Sequence, residues 1–133
     1  HKQQNSDLTV MSAIFDNPTN YGRIIRNQDG SLNSIVEEKD ATSEQKSVKE
    51  VNAGIYCLNW AKIKTAFGEL KTNNAQGEYY LTDIIKWANA NSLKVNAYIL
   101  NNNDEIFGIN SKAHLAEATK ILNQRMLIYL YLL

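Results

Sequence analysis

Five short apolar runs, punctuated by turn formers and interleaved with stretches of helical spacing, constrain this chain more than any other feature. The runs are Asp7–Phe15 (DLTVMSAIF), Gly22–Arg26 (GRIIR), Leu32–Glu38 (LNSIVEE), Val51–Leu58 (VNAGIYCL) and Val95–Leu100 (VNAYIL). All are of strand length and most are rich in β-branched residues. The cluster Asp16-Asn17-Pro18-Thr19-Asn20 closes the first run as a turn. Asn27-Gln28-Asp29-Gly30-Ser31, whose Asp-Gly pair suits positive φ, joins the second and third as a hairpin.

Between and after these runs the spacing turns helical. Thr42-Ser43-Glu44-Gln45 fits a capping box opening a short helix to about Val48. Asn59 is expected to cap a helix over Trp60–Leu70, with Ile63, Phe67 and Leu70 on one face. Glu78–Asn89 puts Leu81, Ile84, Ile85 and Ala88 on one stripe, and Ser111 is expected to cap a helix through about Gln124. Strands alternating with helices imply an α/β layer architecture, and the hairpin makes the sheet mixed.

At 133 residues and 44% hydrophobic, the chain suits one compact domain and is too apolar for intrinsic disorder. Fourteen Lys and Arg cancel fourteen Asp and Glu, so no global field draws it to nucleic acid or an anionic bilayer. The longest apolar stretch, Met126–Leu133, is less than half of the roughly 20 residues a membrane-spanning helix needs. A lone Cys57 and the lack of a signal segment point to a reducing, cytoplasmic setting. Cys57, among Gly54-Ile55-Tyr56-Cys57-Leu58, is expected to be a small buried hydrophobe rather than a nucleophile.

Generic catalytic motifs are absent: there is no G-x-x-x-x-G-K-[ST], no G-x-G-x-x-G, no H-E-x-x-H and no paired cysteine ligands. The two histidines, His1 and His114, support neither a triad nor a metal site. Other segments group small, aromatic and polar residues where a fold alone asks for little. They are Asn17–Ile24 (NPTNYGRI), Ile35–Ala41 (IVEEKDA), Glu50–Tyr56 (EVNAGIY), Asn74–Asp83 (NAQGEYYLTD) and Gly108-Ile109-Asn110.

In this order and spacing the segments resemble the second half of the uridylyltransferase domain of the bacterial bifunctional N-acetylglucosamine-1-phosphate uridylyltransferase/glucosamine-1-phosphate acetyltransferase family, over about Asp7 to Gln124. The Asn74–Asp83 string is the most specific of them. The resemblance implies a Rossmann-like nucleotide-diphospho-sugar transferase fold, present in part, with a mixed sheet, a hairpin and flanking helices. It implies a reaction joining UTP to N-acetylglucosamine 1-phosphate, giving UDP-N-acetylglucosamine and pyrophosphate with Mg²⁺, in the supply of cell-wall precursors. Such chemistry rests on in-line positioning and charge neutralisation, and no protein nucleophile is needed.

Carried over by position, Gly22 is the glycine whose backbone lies against the sugar nucleotide, where a Cβ would obstruct close approach. Glu37 is the carboxylate that takes sugar hydroxyls, and Asn52 is an amide in an apolar strand whose partners the ligand supplies. Tyr80 and Thr82 surround the N-acetyl group, while Tyr79, Leu81 and Ile84 face the core. Asn110 is a neutral oxygen ligand to Mg²⁺ that also reaches the nucleotide. Each has a plain structural alternative: a turn glycine, an exposed strand-end charge, a buried structural amide, helix-start packing and a helix N-cap.

The resemblance does not include the family's Gly-rich phosphate loop, its triphosphate-binding cations, its uracil contacts or its metal-binding Asp. Nor does it include the trimerising β-helix that carries acetyl transfer. The expectation is therefore a partial uridylyltransferase over residues 1–124, inactive alone, followed by an apolar tail over 125–133 that departs from the family. The oligomeric state stays open. Two alternatives accompany this reading: a non-catalytic sugar-nucleotide-binding or assembly module, and a nucleotidyltransferase for another sugar or base.

Overall fold

The computed structural model describes residues 1–106, 108–109 and 111–132. They divide into two compact units, His1–Asn101 and Asn102–Leu133.

The first unit is built on a five-stranded mixed sheet. Its strands are β1 (Leu8–Ile14), β2 (Arg23–Arg26), β3 (Leu32–Val36), β4 (Glu50–Leu58) and β5 (Val95–Ile99), in the order β3-β2-β4-β1-β5. β1 and β5 are parallel, and all other neighbours are antiparallel. The β2-β3 hairpin closes through Gly30 at φ +82°, as its Asp-Gly pair predicts. Side chains alternate across the sheet, so Leu8 and Val10 turn to one face while Thr9 and Met11 turn to the other.

Helices cover the Leu8 face. They are α2 (Trp60–Ile63), which continues as a 3₁₀ turn over Lys64–Gly68, and α3 (Asp83–Ala90), while α1 (Ser43–Lys46) lies near β2 and buries no residue. Ile63 and Ala66, with Ile84, Ile85 and Ala88 of α3, join Leu8, Val10, Ile24, Leu32, Ile35 and Val95 in one core cluster. The Asn89 side-chain amide donates to the carbonyls of Leu32 (2.9 Å) and Asn33 (2.7 Å), fastening α3 to β3. The capping box at α1 forms in full, with Thr42 and Gln45 satisfying each other's backbone amides.

Several local expectations need correction. Asn59 precedes α2 but makes no side-chain cap, and the helix tightens to 3₁₀ after Ile63. α3 begins at Asp83, five residues later than its stripe suggests, so Tyr79 (71% exposed) and Leu81 (44% exposed) lie outside the core while Ile84 lies within it. β4 is buried only at Glu50 and Val51. A bulge interrupts the strand: Val10 pairs with Tyr56 and Ser12 with Asn52, leaving Met11 opposite Ala53-Gly54-Ile55, with Gly54 at φ +74°. Beyond the bulge, Tyr56 and Leu58 pack toward the core cluster and Cys57 is exposed rather than buried.

The second unit contains a 3₁₀ turn, Asn103–Ile106, and α4 (Lys112–Tyr131). The Ser111 hydroxyl caps α4 by accepting from the His114 amide at 3.1 Å. α4 runs past Gln124 into the apolar tail, which contains no glycine or proline to stop it. Among the described residues no helix is long and apolar enough to cross a membrane.

Candidate functional site

Three of the residues singled out in the sequence meet where β2 begins, β3 ends and α3 begins. Gly22 enters β2 and Glu37 leaves β3, and the hairpin register that pairs Arg23 with Val36 sets them side by side. A Cβ built on Gly22 would lie 3.2 Å from Ile35 Cγ2 and 3.3 Å from Glu37 Oε2, so the missing side chain is what lets the carboxylate occupy this place. Thr82 stands at the N-cap position of α3 but does not cap the helix. Instead its hydroxyl, on a residue only 4% exposed, donates to Glu37 Oε1 at 3.0 Å.

Asn52 joins this group through the sheet, its backbone amide donating to the Gly22 carbonyl at 2.8 Å. Its side-chain oxygen accepts from the Gly54 amide at 2.9 Å and so holds the β4 bulge. Tyr56, two residues beyond Gly54, was not singled out by sequence. Burial pushes its phenol up to about 12, with the Asn52 side chain pulling the other way and the Glu37 carboxylate adding to the rise. Only its strand position hinted at this, because an aromatic in VNAGIYCL reads first as core.

Tyr80 lies on the far side of Glu37, and the two share the lining of a cavity of about 130 Å³ with Ile35, Asp40, Asn74 and Lys86. The Tyr80 hydroxyl donates to Asp40 Oδ2 at 2.9 Å and accepts from Gln76 Nε2 at 2.8 Å. Asp40 Oδ1 also accepts from the Ala75 amide at 2.8 Å, which ties the Asn74–Tyr80 segment to the end of the hairpin. Burial raises the Tyr80 phenol pKa; Gln76 lowers it, and Asp40 raises it further. Asp40 is thus a second unforeseen member, legible only as the last charge of the VEEKDA string.

Asn110 lies outside the described residues, so its substrate and metal roles rest on the resemblance. The described residues contain no group of three or more His, Cys, Asp or Glu able to hold a metal. Glu37 already accepts from Thr82, and Asp40 from Ala75 and Tyr80. This donor set does not form a Mg²⁺ cage, and no step is assigned to the metal. A larger cavity, about 370 Å³, lies against the sheet at Met11, Ile55 and Tyr98. Its lining, which includes Tyr56 and Cys57, contains no carboxylate and none of Gly22, Glu37, Asn52, Tyr80 and Thr82.

The chain is 46% identical over 127 residues to the bifunctional protein GlmU of Acetivibrio thermocellus, covering 96% of this chain and 28% of that protein. It is 44% identical over 126 residues to GlmU of Caldanaerobacter subterraneus subsp. tengcongensis and to that of Clostridioides difficile. The chain is similar to a part of GlmU. It spans little more than a quarter of the length of the GlmU proteins it matches. No family model matches it. Among solved structures it resembles a Bacillus anthracis protein described as a glucose-1-phosphate thymidylyltransferase, with a TM-score of 0.63 and 21% identity over 90% of this chain and 45% of that one. That likeness is one of fold: the two proteins share a mixed α/β sheet architecture.

Proposed function

We propose that this chain is the sugar-side segment of an N-acetylglucosamine-1-phosphate uridylyltransferase, an enzyme that joins UTP to N-acetylglucosamine 1-phosphate and releases pyrophosphate and UDP-N-acetylglucosamine. The observation that carries this is the Gly22–Glu37–Thr82 arrangement. A carboxylate with one oxygen anchored by a threonine hydroxyl and the other beside a bare glycine is suited to accept hydrogen bonds from adjacent sugar hydroxyls. Asn52 and Tyr80 flank it with an amide and an aromatic wall, suited to an amino sugar and its N-acetyl group.

What these residues contribute is orientation. The reaction brings an anionic sugar phosphate in line with the α-phosphorus of an anionic triphosphate, so holding the sugar fixes the attack geometry. Asn110 is the residue proposed to face a Mg²⁺ ion, whose charge would offset that of the phosphates. The triphosphate-facing cations of the family have no counterpart among the residues assigned here. Little or no turnover is therefore proposed for the 133 residues alone, with residues 1–124 forming the uridylyltransferase part and 125–133 departing from it. A cytoplasmic location, with phosphorylated metabolites as ligands, belongs to the same proposal.

The test is calorimetric titration of the chain with UDP-N-acetylglucosamine beside a pyrophosphate-release assay with UTP, Mg²⁺ and N-acetylglucosamine 1-phosphate. Saturable binding that Glu37→Ala removes, with no pyrophosphate released, is the expected pattern. Binding that survives Glu37→Ala counts against the assignment.

A further inference from the structure

Arg23 is the one residue of β2 in register with strands on both sides, Val36 of β3 and Val51 of β4. Its side chain is almost wholly buried, at 1% residue exposure. Nη1 donates to the Tyr21 carbonyl, and Nη2 pairs with Glu38 Oε2 at 2.6 Å. Among the described residues its Nε, also buried, meets no hydrogen-bond acceptor. A buried ion pair is weak evidence for stability, because desolvation offsets most of the attraction, and an unmet N–H adds a further cost.

Where the two bonds go suggests another purpose. Tyr21 immediately precedes Gly22, and Glu38 immediately follows Glu37. The guanidinium therefore grips the chain on the outer side of each residue of the close pair, while the Gly22 carbonyl between them receives the Asn52 amide. A planar fork reaching two acceptors in fixed directions holds two backbone segments at a set distance, which a lysine or an apolar side chain does not.

We infer that Arg23, with Glu38, is a positioning pair that sets the Gly22–Glu37 spacing for the bound sugar nucleotide, and this rests on the function proposed above. Neither residue need touch the ligand. Misplacing a binding group by about 1 Å can cost on the order of a hundredfold in a positioned reaction, so loosening this pair should weaken binding far more than it weakens the fold.

The experiment compares the chain with Arg23→Met, Arg23→Lys and Glu38→Ala. It measures the Kd for UDP-N-acetylglucosamine by calorimetry, the thermal midpoint, and hydrogen exchange at the Asn52 amide. Arg23→Met preserves much of the buried bulk. Glu38, whose side chain is 27% exposed, provides a variant that disturbs packing less. Roughly tenfold or greater weakening is expected for Arg23→Met and Glu38→Ala, measured well below each variant's thermal midpoint, with partial recovery in Arg23→Lys and faster exchange at Asn52. Unchanged Kd in both variants, while Glu37→Ala abolishes binding, overturns the positioning role and leaves the site standing. If the parent chain does not bind, the functional proposal fails and takes the binding role with it; Asn52 exchange equal in all variants then overturns the grip itself.

Discussion

Thr82 gives its hydroxyl to Glu37, 45 positions earlier in the chain, rather than to the helix it opens. A threonine at an N-cap position ordinarily satisfies an orphan amide of the first turn, a contribution of about 1 kcal/mol to the helix. Here that contribution is absent, and a carboxylate at the end of β3 is held instead. The exchange makes sense if the orientation of Glu37 matters more than the stability of α3.

Thr82→Ala should therefore leave α3 intact but release Glu37. Loss of a hydrogen bond to a part-buried carboxylate predicts destabilisation of about 1–3 kcal/mol by urea denaturation. In a cycle with Glu37→Gln the two changes should be non-additive, with a coupling of at least about 0.5 kcal/mol. Strict additivity would mean that the bond contributes nothing in solution.

Gly22→Ala tests the close approach. The added methyl would sit at 3.2 Å from Ile35 and 3.3 Å from Glu37 Oε2, tighter than ordinary contact, and the carboxylate is the group best able to yield. A modest stability loss, on the order of 1 kcal/mol, is expected together with a larger loss of UDP-N-acetylglucosamine affinity. Unaltered affinity would show that Glu37 does not need its present position.

Much of the fold is legible because it is local. β1, the hairpin and the capping box of α1 each follow from residues within a few positions of one another. The helix after Gly77 is placed too early for a similarly local reason that periodicity does not capture. Asn74 accepts from the amides of Gln76 and Glu78 and donates to the Glu78 carbonyl, so the chain turns on an asparagine side chain before it can wind. Tyr79 and Leu81 keep their helical spacing in sequence and lose it in space. Cys57 is exposed because it pairs with Thr9 on the face of the sheet opposite Leu8 and Val10, away from the core cluster.

The site is legible in a different way. Gly22, Glu37, Asn52, Tyr80 and Thr82 stood out through family resemblance, whereas spacing alone offers each a plain structural reading. What no sequence pattern revealed is how they are held. Arg23 and Asp40 have no role assigned from the sequence, yet one is buried and the other bonds both Tyr80 and the Ala75 amide. Contacts between segments 15 to 40 residues apart are invisible to periodicity.

Asp7 links the start of β1 to two other elements, accepting from Lys62 Nζ at 2.7 Å and from the Lys94 amide at 3.0 Å. These bonds, Lys62 foremost, hold its carboxyl below the usual 3.8. A depressed folded-state pKa gives stability that is present above the unfolded value and is lost as pH falls through the folded one. The thermal midpoint should therefore drop as pH is lowered below about 4, and Asp7→Asn should flatten that part of the profile while lowering the midpoint at pH 7. An unchanged acid limb in the variant would contradict the assignment.

Tyr56 predicts the opposite limb. With its phenol pushed up to about 12 from 10, the unfolded chain ionises first, so stability is full below pH 10 and declines as pH rises through the folded value. Ultraviolet titration after a rapid pH jump should show a late-ionising tyrosine that Tyr56→Phe removes. Because the buried hydroxyl makes no well-formed hydrogen bond among the described residues, that substitution should cost little stability at neutral pH. A large loss would mean that the hydroxyl has a partner in solution.

The most direct test of a sugar-nucleotide site at Gly22, Glu37, Asn52, Tyr80 and Thr82 is amide chemical-shift mapping of the chain during titration with UDP-N-acetylglucosamine. The expected result is saturable shifts centred on these five residues and their neighbours Arg23 and Asp40. Shifts centred instead on the Met11, Ile55 and Tyr98 cavity, or none at millimolar ligand, would contradict it.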